Sequence, residues 1–98
     1  MTTYEVTHDE SKGRFEIRVD GHLAYEQYER REGVIDYRHT EVPDALGGRG
    51  VGSFLVAYVL DYARSNGLKV APSCPFVRGY IDRHPEYRSI SLAHDASA

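Results

Sequence analysis

Gly47-Gly-Arg-Gly-Val-Gly52, with Ser53-Phe-Leu-Val-Ala-Tyr-Val-Leu-Asp-Tyr62 directly after it, is the stretch that decides the fold of this chain. Apolar residues recur after the glycines at helical spacing. They are Val51, Leu55, Tyr58 or Val59, and Tyr62. Because the polar residues between them mark only a narrow edge, the stretch predicts a mostly buried helix. Asn66-Gly67 predicts the C-terminal end of that helix.

The residues before the glycines follow the two-residue period of β-strands instead. Residues 15–19 alternate strictly, with Phe15 and Ile17 on one face, and Asp20-Gly21 is a tight-turn pair. Residues 23–29 and 34–42 predict the next two strands, and residues 3–7 predict a weaker edge strand. The N-terminal part therefore predicts an antiparallel strand meander.

After the helix, residues 68–70 predict a short strand, and Pro75–Arg83 predicts a second helix that His84-Pro85 ends. The order of strands, helix, strand and helix predicts an α+β domain in two or three layers. The length of 98 residues suits one core, so we expect a single domain at 1–92. Residues 93–98 are expected to form a disordered tail.

Composition limits the class of partner. The formal net charge is −3 and the pI is near 5.9, which argues against a nucleic-acid or anionic-membrane binder. The acidity is compatible with an amine or a basic peptide as partner. One cysteine, Cys74, and a polar N-terminus without a signal peptide predict a cytoplasmic protein. We expect no membrane association and favour a monomer.

A glycine-rich turn that opens a buried helix has a specific physical use. The first turn of a helix leaves backbone N–H groups unpaired, and glycines let an anion such as a pyrophosphate approach them closely. The spacing G-x-G-x-G after a meander differs from the G-x-G-x-x-G of a dinucleotide-binding turn, and no Gly-Lys-Ser/Thr follows. A connection that merely turns tightly remains the alternative.

Several ordered motifs together resemble a known family. Residues 40–56 are followed by Gly67-Leu-Lys-Val70, Pro72-Ser-Cys-Pro-Phe-Val77 and Arg83-His-Pro-Glu-Tyr87. This combination resembles the GNAT superfamily and, more narrowly, the short GNAT-like N-acetyltransferase domain family. The resemblance implies a GNAT-like fold with splayed central strands and acetyl-CoA as cofactor. Gly47 departs from the family pattern, which usually carries Arg or Gln at this position.

The resemblance also assigns cofactor-binding positions. The pantetheine arm would lie along Val42, whose backbone N–H is the matching oxyanion donor. The pyrophosphate would take N–H groups from the glycine turn, at Gly48, Arg49, Gly50, Val51, Gly52 and Ser53. The Arg49 side chain can add positive charge or be a solvated loop arginine. Phe76 and Tyr80 either border the pantetheine or pack in the core, as their helical spacing also suggests.

Three residues are candidates for the chemistry. Strict alternation puts Ile35, Tyr37, His39 and Glu41 on one face, so His39 and Glu41 are expected to converge on the site. Glu41 would take the amine proton, or it is a surface carboxylate; His39 titrates in a useful range, or it is packed. Cys74 begins a helix, where the dipole stabilises negative charge, and by resemblance it lies near the acetyl group. It is a nucleophile, a general acid toward the leaving thiolate, or a packed small residue.

The sequence thus predicts an acetyl-CoA-dependent N-acetyltransferase. The acetyl group would pass by direct attack in a ternary complex to a primary amine of a small molecule, a protein lysine or a protein N-terminus. A non-catalytic CoA or acyl-CoA binding module is the alternative, because the base candidates are weak and the acceptor-side helices of a full GNAT domain are missing. No metal site is predicted.

Overall fold

The computed structural model describes residues 3–94 and contains one five-stranded sheet with two α-helices. The strands are β1 (Thr7–Asp9), β2 (Arg14–Val19), β3 (His22–Arg31), β4 (Val34–Glu41) and β5 (Lys69–Pro72). The α-helices are α1 (Val51–Ser65) and α2 (Pro75–Arg83), and 3₁₀ helices span Asp44–Leu46 and Pro85–Ile90. The strands follow chain order across the sheet, antiparallel from β1 to β4, with β5 parallel to β4. The crossover between the two parallel strands is α1.

Local sequence explains most of the element boundaries. Asp20 and Gly21 both have positive φ, 51° and 80°, which suits the two-residue hairpin between β2 and β3. Gly67 has a φ of 66° just after α1, and Pro75 stands at the start of α2. The predicted edge strand at residues 3–7 was wrong in position, because only Thr7–Asp9 pairs with β2.

Both helices pack on the same face of the sheet, so the domain has two layers. Phe15 of β2 contacts Tyr58 and Tyr62 of α1 through its ring, and the Tyr37 hydroxyl of β4 donates to the Val59 carbonyl at 2.5 Å. We call this helix-covered side the inner face and the opposite side the outer face. The core between the layers includes fully buried residues from strands β2 to β5 and from both α-helices: Ile17, Ala24, Ile35, Leu55, Val59, Val70, Val77 and Ile81.

A bulge in β4 changes which residues face the core. Gln27 pairs with His39 but the next residue, Tyr28, pairs with Tyr37, so Arg38 is an extra residue on β4. The alternation restarts after it, and Thr40 lies on the inner face opposite Glu26. The predicted common face for Tyr37, His39 and Glu41 was therefore wrong.

Strands β4 and β5 diverge, as the splayed-strand prediction requires. Their pairing ends at Tyr37 and Pro72, whereas β4 runs on to Glu41. The Cys74 N–H donates to the Tyr37 carbonyl at 2.9 Å and so holds the start of α2 beside the end of the paired region. The gap between the strands opens from Arg38 onward, next to Cys74. The chain thereby gains a cleft at the end of its last two strands.

The C-terminal segment was only partly predicted. The 3₁₀ helix at Pro85–Ile90 has no periodic sequence signal, and Ser91 after it forms a bridge to Val70 on β5. Of the predicted tail 93–98, residues 95–98 lie outside the described residues, and His94 contacts Ser91 and Asp82 at 2.6 and 2.8 Å. Neither α-helix is long and apolar enough to span a bilayer within the described range.

Candidate functional site

Residues 48–53, which we call the glycine cradle, connect β4 to α1. Gly48 and Gly50 have φ values of 78° and 74°, a conformation that glycine adopts without strain. Arg49 donates its N–H to Leu46 and Phe54 donates to Gly50. Within the cradle, five N–H groups have no backbone acceptor among residues 3–94, namely those of Gly48, Gly50, Val51, Gly52 and Ser53. This is a cluster of free donors at a helix N-terminus, the arrangement that binds anionic phosphates.

A groove of about 230 Å³ lies over the cradle and continues towards β4 and α2. Val42 and Phe76 line it opposite the glycines, and the Phe76 ring is 41% exposed. A Cβ added to Gly52 would lie 2.9 Å from Phe76 Cζ and 3.4 Å from Val42 Cγ2, so only glycine fits there without a shift. The free N–H groups and the three glycines of the cradle fit a diphosphate, and the exposed Phe76 ring fits a less polar arm.

The exposed Arg49 side chain is held by an ion pair. Its Nη1 lies 2.7 Å from Asp20 Oδ2 in an exposed ion pair, and its carbonyl accepts a hydrogen bond from the Tyr4 hydroxyl. These contacts fix the cradle to the β2–β3 turn and the N-terminal segment. The predicted phosphate contact of Arg49 would compete with Asp20.

Cys74 lies beside the point where β4 and β5 diverge. It is the N-cap residue of α2, two positions before Phe76, and its side chain is buried. The Sγ atom is 3.2 Å from Thr40 Oγ1, and Thr40 is two positions before Val42. The structure therefore brings together the cradle, Val42, Phe76 and Cys74, in that order along one path.

Glu26 is the functional candidate that the sequence analysis missed. It is fully buried on the inner face, and the Thr40 hydroxyl donates to its Oε1 in a short hydrogen bond. Burial raises the pKa of Glu26 to about 8, although the bond from Thr40 acts in the opposite direction. The two-residue turn at Asp20-Gly21 already implies the pairing of Phe15 with Glu26, so the hairpin register was a usable signal.

His39 and Glu41 do not join Cys74 inside the cleft. Their side chains contact each other at 2.9 Å, from His39 Nε2 to Glu41 Oε1, and both are about half exposed. The bulge at Arg38 puts them on the outer face, although they remain on the part of β4 that diverges from β5.

Tyr80 lies away from the cradle groove. It is buried, stacks on His84 with ring centroids 3.9 Å apart, and neighbours Tyr87. Burial raises the pKa of its hydroxyl. Its contacts are those of a packed residue at the C-terminal end of α2.

A second groove, of about 410 Å³, lies along the C-terminal half of α1 between Tyr58 and Asn66. It is larger than the cradle groove, but it has no helix N-terminus and none of the cradle residues. We assign the candidate site to the smaller groove because the free donors are there. No group of three or more metal-ligating side chains occurs within residues 3–94.

Comparisons with known proteins converge on one family. Residues 14–90 match the family described as GCN5-related N-acetyl-transferase. Protein NATD1 of Gallus gallus is 35% identical over 86 residues, which cover 83% of this chain and 76% of that protein. The Homo sapiens protein of the same name is 35% identical over 85 residues, covering 82% and 74%. The NMR structure of a GCN5-like candidate N-acetyltransferase from Staphylococcus aureus is similar with a TM-score of 0.72, at 33% identity, covering 94% of this chain and 91% of that chain.

Proposed function

The chain belongs to the GCN5-related N-acetyltransferase family, and from this premise we propose that it is an acetyl-CoA-dependent N-acetyltransferase. The acetyl group passes to a primary amine of a small molecule or a protein by direct attack in a ternary complex. The observation that carries the proposal is the set of free N–H groups in the glycine cradle, over which lies a groove lined by Val42 and Phe76.

The cradle residues would hold the pyrophosphate of acetyl-CoA. Free N–H groups from Gly48 to Ser53 and the positive end of α1 neutralise the phosphate charge. Val42 and Phe76 border the groove that the pantetheine arm would follow. When bound, acetyl-CoA supplies an acetyl group activated as a thioester.

The remaining residues act around the reacting carbon. The Val42 N–H donates to the oxygen on which negative charge develops, a role that requires no particular side chain. Cys74, two positions before the groove residue Phe76, gives a proton to the departing thiolate. The His39–Glu41 pair stands on the outer face of the diverging segment, so it can take the proton from an amine that enters from that face.

Chemical-shift changes on titration with acetyl-CoA test the binding step. We expect shifts at the backbone amides of residues 48–53. Gly50→Val should abolish them, because its side chain occupies the space above the free donors. Gly33→Val is the matched control: its φ of 73° imposes the same strain, and its surroundings are equally open, in the β3–β4 turn. Equal binding by the two variants would put the anion site elsewhere.

Thiol release from acetyl-CoA with a panel of amines tests the chemical step. We expect turnover in the wild type and a loss of turnover in Cys74→Ala with CoA binding retained. A wild type that binds acetyl-CoA but releases no thiol with any amine would instead be the non-catalytic acyl-CoA module.

The proposal also covers the cellular compartment and the oligomeric state of the enzyme. Cys74 is a buried free thiol, which suits a reducing compartment such as the cytoplasm. We propose that the protein acts there as a monomer.

A further inference from the structure

Three polar side chains form a continuous hydrogen-bonded path in the layer between sheet and helices. Glu26 of β3 contacts Thr40 of β4, and Thr40 contacts Cys74 at the start of α2, with Oγ1 to Sγ at 3.2 Å. We call Glu26, Thr40 and Cys74 the buried triad. One end of this path is enclosed in the core, and the other lies at the proposed acyl-transfer site.

A fully buried carboxyl group at this position has no structural partner that explains it. No Lys, Arg or His pairs with Glu26 among residues 3–94, and its Oε2 accepts no hydrogen bond there. Glu26 lies between Phe15 on β2 and Thr40 on β4, where an apolar residue would pack without a desolvation penalty. The polar groups that interact with the carboxyl group are the Thr40 hydroxyl and the His39 backbone N–H, and Thr40 connects it to Cys74.

We propose that Glu26 is the proton reservoir of this site and reloads Cys74 through the hydroxyl of Thr40. This inference rests on the proposed function. As the bond between the acetyl carbon and the CoA sulfur breaks, Cys74 gives its thiol proton to the departing thiolate. In its protonated state the Glu26 carboxyl group donates from Oε1 to the Thr40 oxygen, the reverse of the bond that Thr40 donates to the carboxylate. Thr40 gives its hydroxyl proton to the Cys74 thiolate, and Glu26 gives its carboxyl proton to Thr40. Glu26 is left as a carboxylate. It is reprotonated through water by the proton that the amine loses when it is acetylated.

The electrostatics of the inner face support a carboxyl group that holds its proton near neutral pH. Burial raises the pKa of Glu26 to about 8. Besides Cys74, the titratable group that faces it is Tyr37 on β4, and Phe15 faces it from β2. Burial raises the pKa of Tyr37 well above its usual range, and its hydroxyl donates to Val59, so Tyr37 stays neutral. Glu26 and Thr40 act through Cys74 and are positioning residues.

The first experiment uses the ligand-free protein. Carbon-13 NMR of labelled glutamate carboxyl groups, with Glu26→Gln to assign the signal, should show Glu26 titrating near pH 8. Thr40→Val removes a hydrogen bond that favours the carboxylate, so it should move this midpoint to higher pH. A Glu26 carboxyl group that is already ionised at pH 6 would overturn the proposal.

The second experiment measures acetyl transfer across pH 6–10 in Thr40→Val and Thr40→Ser. Thr40→Val keeps the shape of the side chain but breaks the path, and we expect a rate loss of about 10²-fold near neutral pH. The loss should shrink above about pH 8, because wild-type Glu26 then has no proton to give. The amine substrate is protonated to the same extent with every variant. The ratio of the wild-type rate to the variant rate therefore reports only the proton that Glu26 supplies. Thr40→Ser, which keeps the hydroxyl, should recover most of the rate.

The outcomes separate this inference from the proposed function. If acetyl-CoA fails to bind wild-type protein, the proposed function fails whatever the triad does. If acetyl-CoA binds and turns over, but Thr40→Val retains the wild-type rate and pH profile, only the reservoir is disproved. A loss in Thr40→Val that is independent of pH and equal in Thr40→Ser would indicate a packing role and would also disprove it.

Discussion

At the residue scale, the bulged Arg38 determines which polar groups reach the site. Without the extra residue, His39 and Glu41 would continue the inner face of Tyr37, and Thr40 would point outward. With it, Thr40 meets Glu26 and Cys74, and the His39–Glu41 pair stays in solvent on the outer face. The bulge at Arg38 thus keeps the buried carboxyl group of Glu26 apart from the solvated His39–Glu41 pair.

The pH dependence of the free energy of unfolding should report the titration of Glu26. Its pKa rises from 4.5 in the unfolded chain to about 8 in the folded protein, so between these values only the folded state binds the proton. Stability contributed by this group is therefore complete below the unfolded pKa and is lost as the pH rises towards the folded one. We expect the free energy of unfolding to fall by about 1.4 kcal/mol per pH unit over this window, relative to Glu26→Gln.

Urea denaturation of both proteins between about pH 5 and pH 8 measures this difference. Glu26→Gln is the matched control because it keeps the shape of the side chain but cannot titrate. Parallel stability curves for the two proteins would mean that Glu26 is ionised in the folded state.

Individual residues of the site were predictable to different degrees. The cradle glycines and Cys74 were identified because tight turns and helix starts leave clear local signals. The inward position of Thr40 was not, because alternation assumes an uninterrupted pleat and a bulge depends on pairing with another strand. Glu26 was missed although its register with Phe15 followed from the hairpin, because the pattern of a single strand does not show that a carboxyl group on it is buried without a charged partner.

At the element scale, α1 joins the sheet to the site. Its buried side includes Val51, Leu55 and Val59, and its first turn carries the free donors of the cradle. Gly52 lets this turn approach Phe76 and Val42 closely, so the packing of α1 also shapes the groove. The position of the anion site therefore depends on how firmly α1 is held against the sheet.

Truncation of Leu55 should weaken that attachment. Leu55 is fully buried, so Leu55→Ala should destabilise the protein by about 2–5 kcal/mol through lost burial and a residual cavity. Leu92→Ala makes the same chemical change at a side chain that is 58% exposed, and we expect an effect within about 0.5 kcal/mol. Denaturation midpoints at an unchanged m-value measure both. Equal midpoints for the two variants would contradict the burial of Leu55.

Helices were easier to predict than the short elements. The ends of α1 and α2 coincide with glycine, asparagine and proline signals that act within a few residues. The three-residue β1 is defined by its pairing with β2, and Pro85–Ile90 by its contacts beside β5, so neither has a periodic pattern of its own. Their stability comes from distant parts of the chain, which local periodicity does not report.

At the scale of the whole molecule, the two faces of the sheet have different chemistry. The inner face is mainly apolar, whereas the outer face places Glu16 and Asp36 each between two arginines. The arginines are Arg14 and Arg18 around Glu16, and Arg31 and Arg38 around Asp36. Pairing of this kind lets the outer face remain polar without a second helical layer over the described strands.

Binding at the cradle should be visible in the stability of the entire domain. A ligand that binds only the folded state at 100 times its Kd stabilises it by about 2.7 kcal/mol. For a domain of this size that corresponds to a rise in Tm of about 10 °C or more. Differential scanning fluorimetry with CoA should show the rise in the wild type and in Gly33→Val, whose strained turn lies outside the cradle. Gly50→Val should show none, and dialysis of the wild type should reverse the rise. Since both variants introduce valine at a φ near 74°, a CoA-induced rise of the same size in both would mean that the diphosphate is not held by the N-terminal amides of α1.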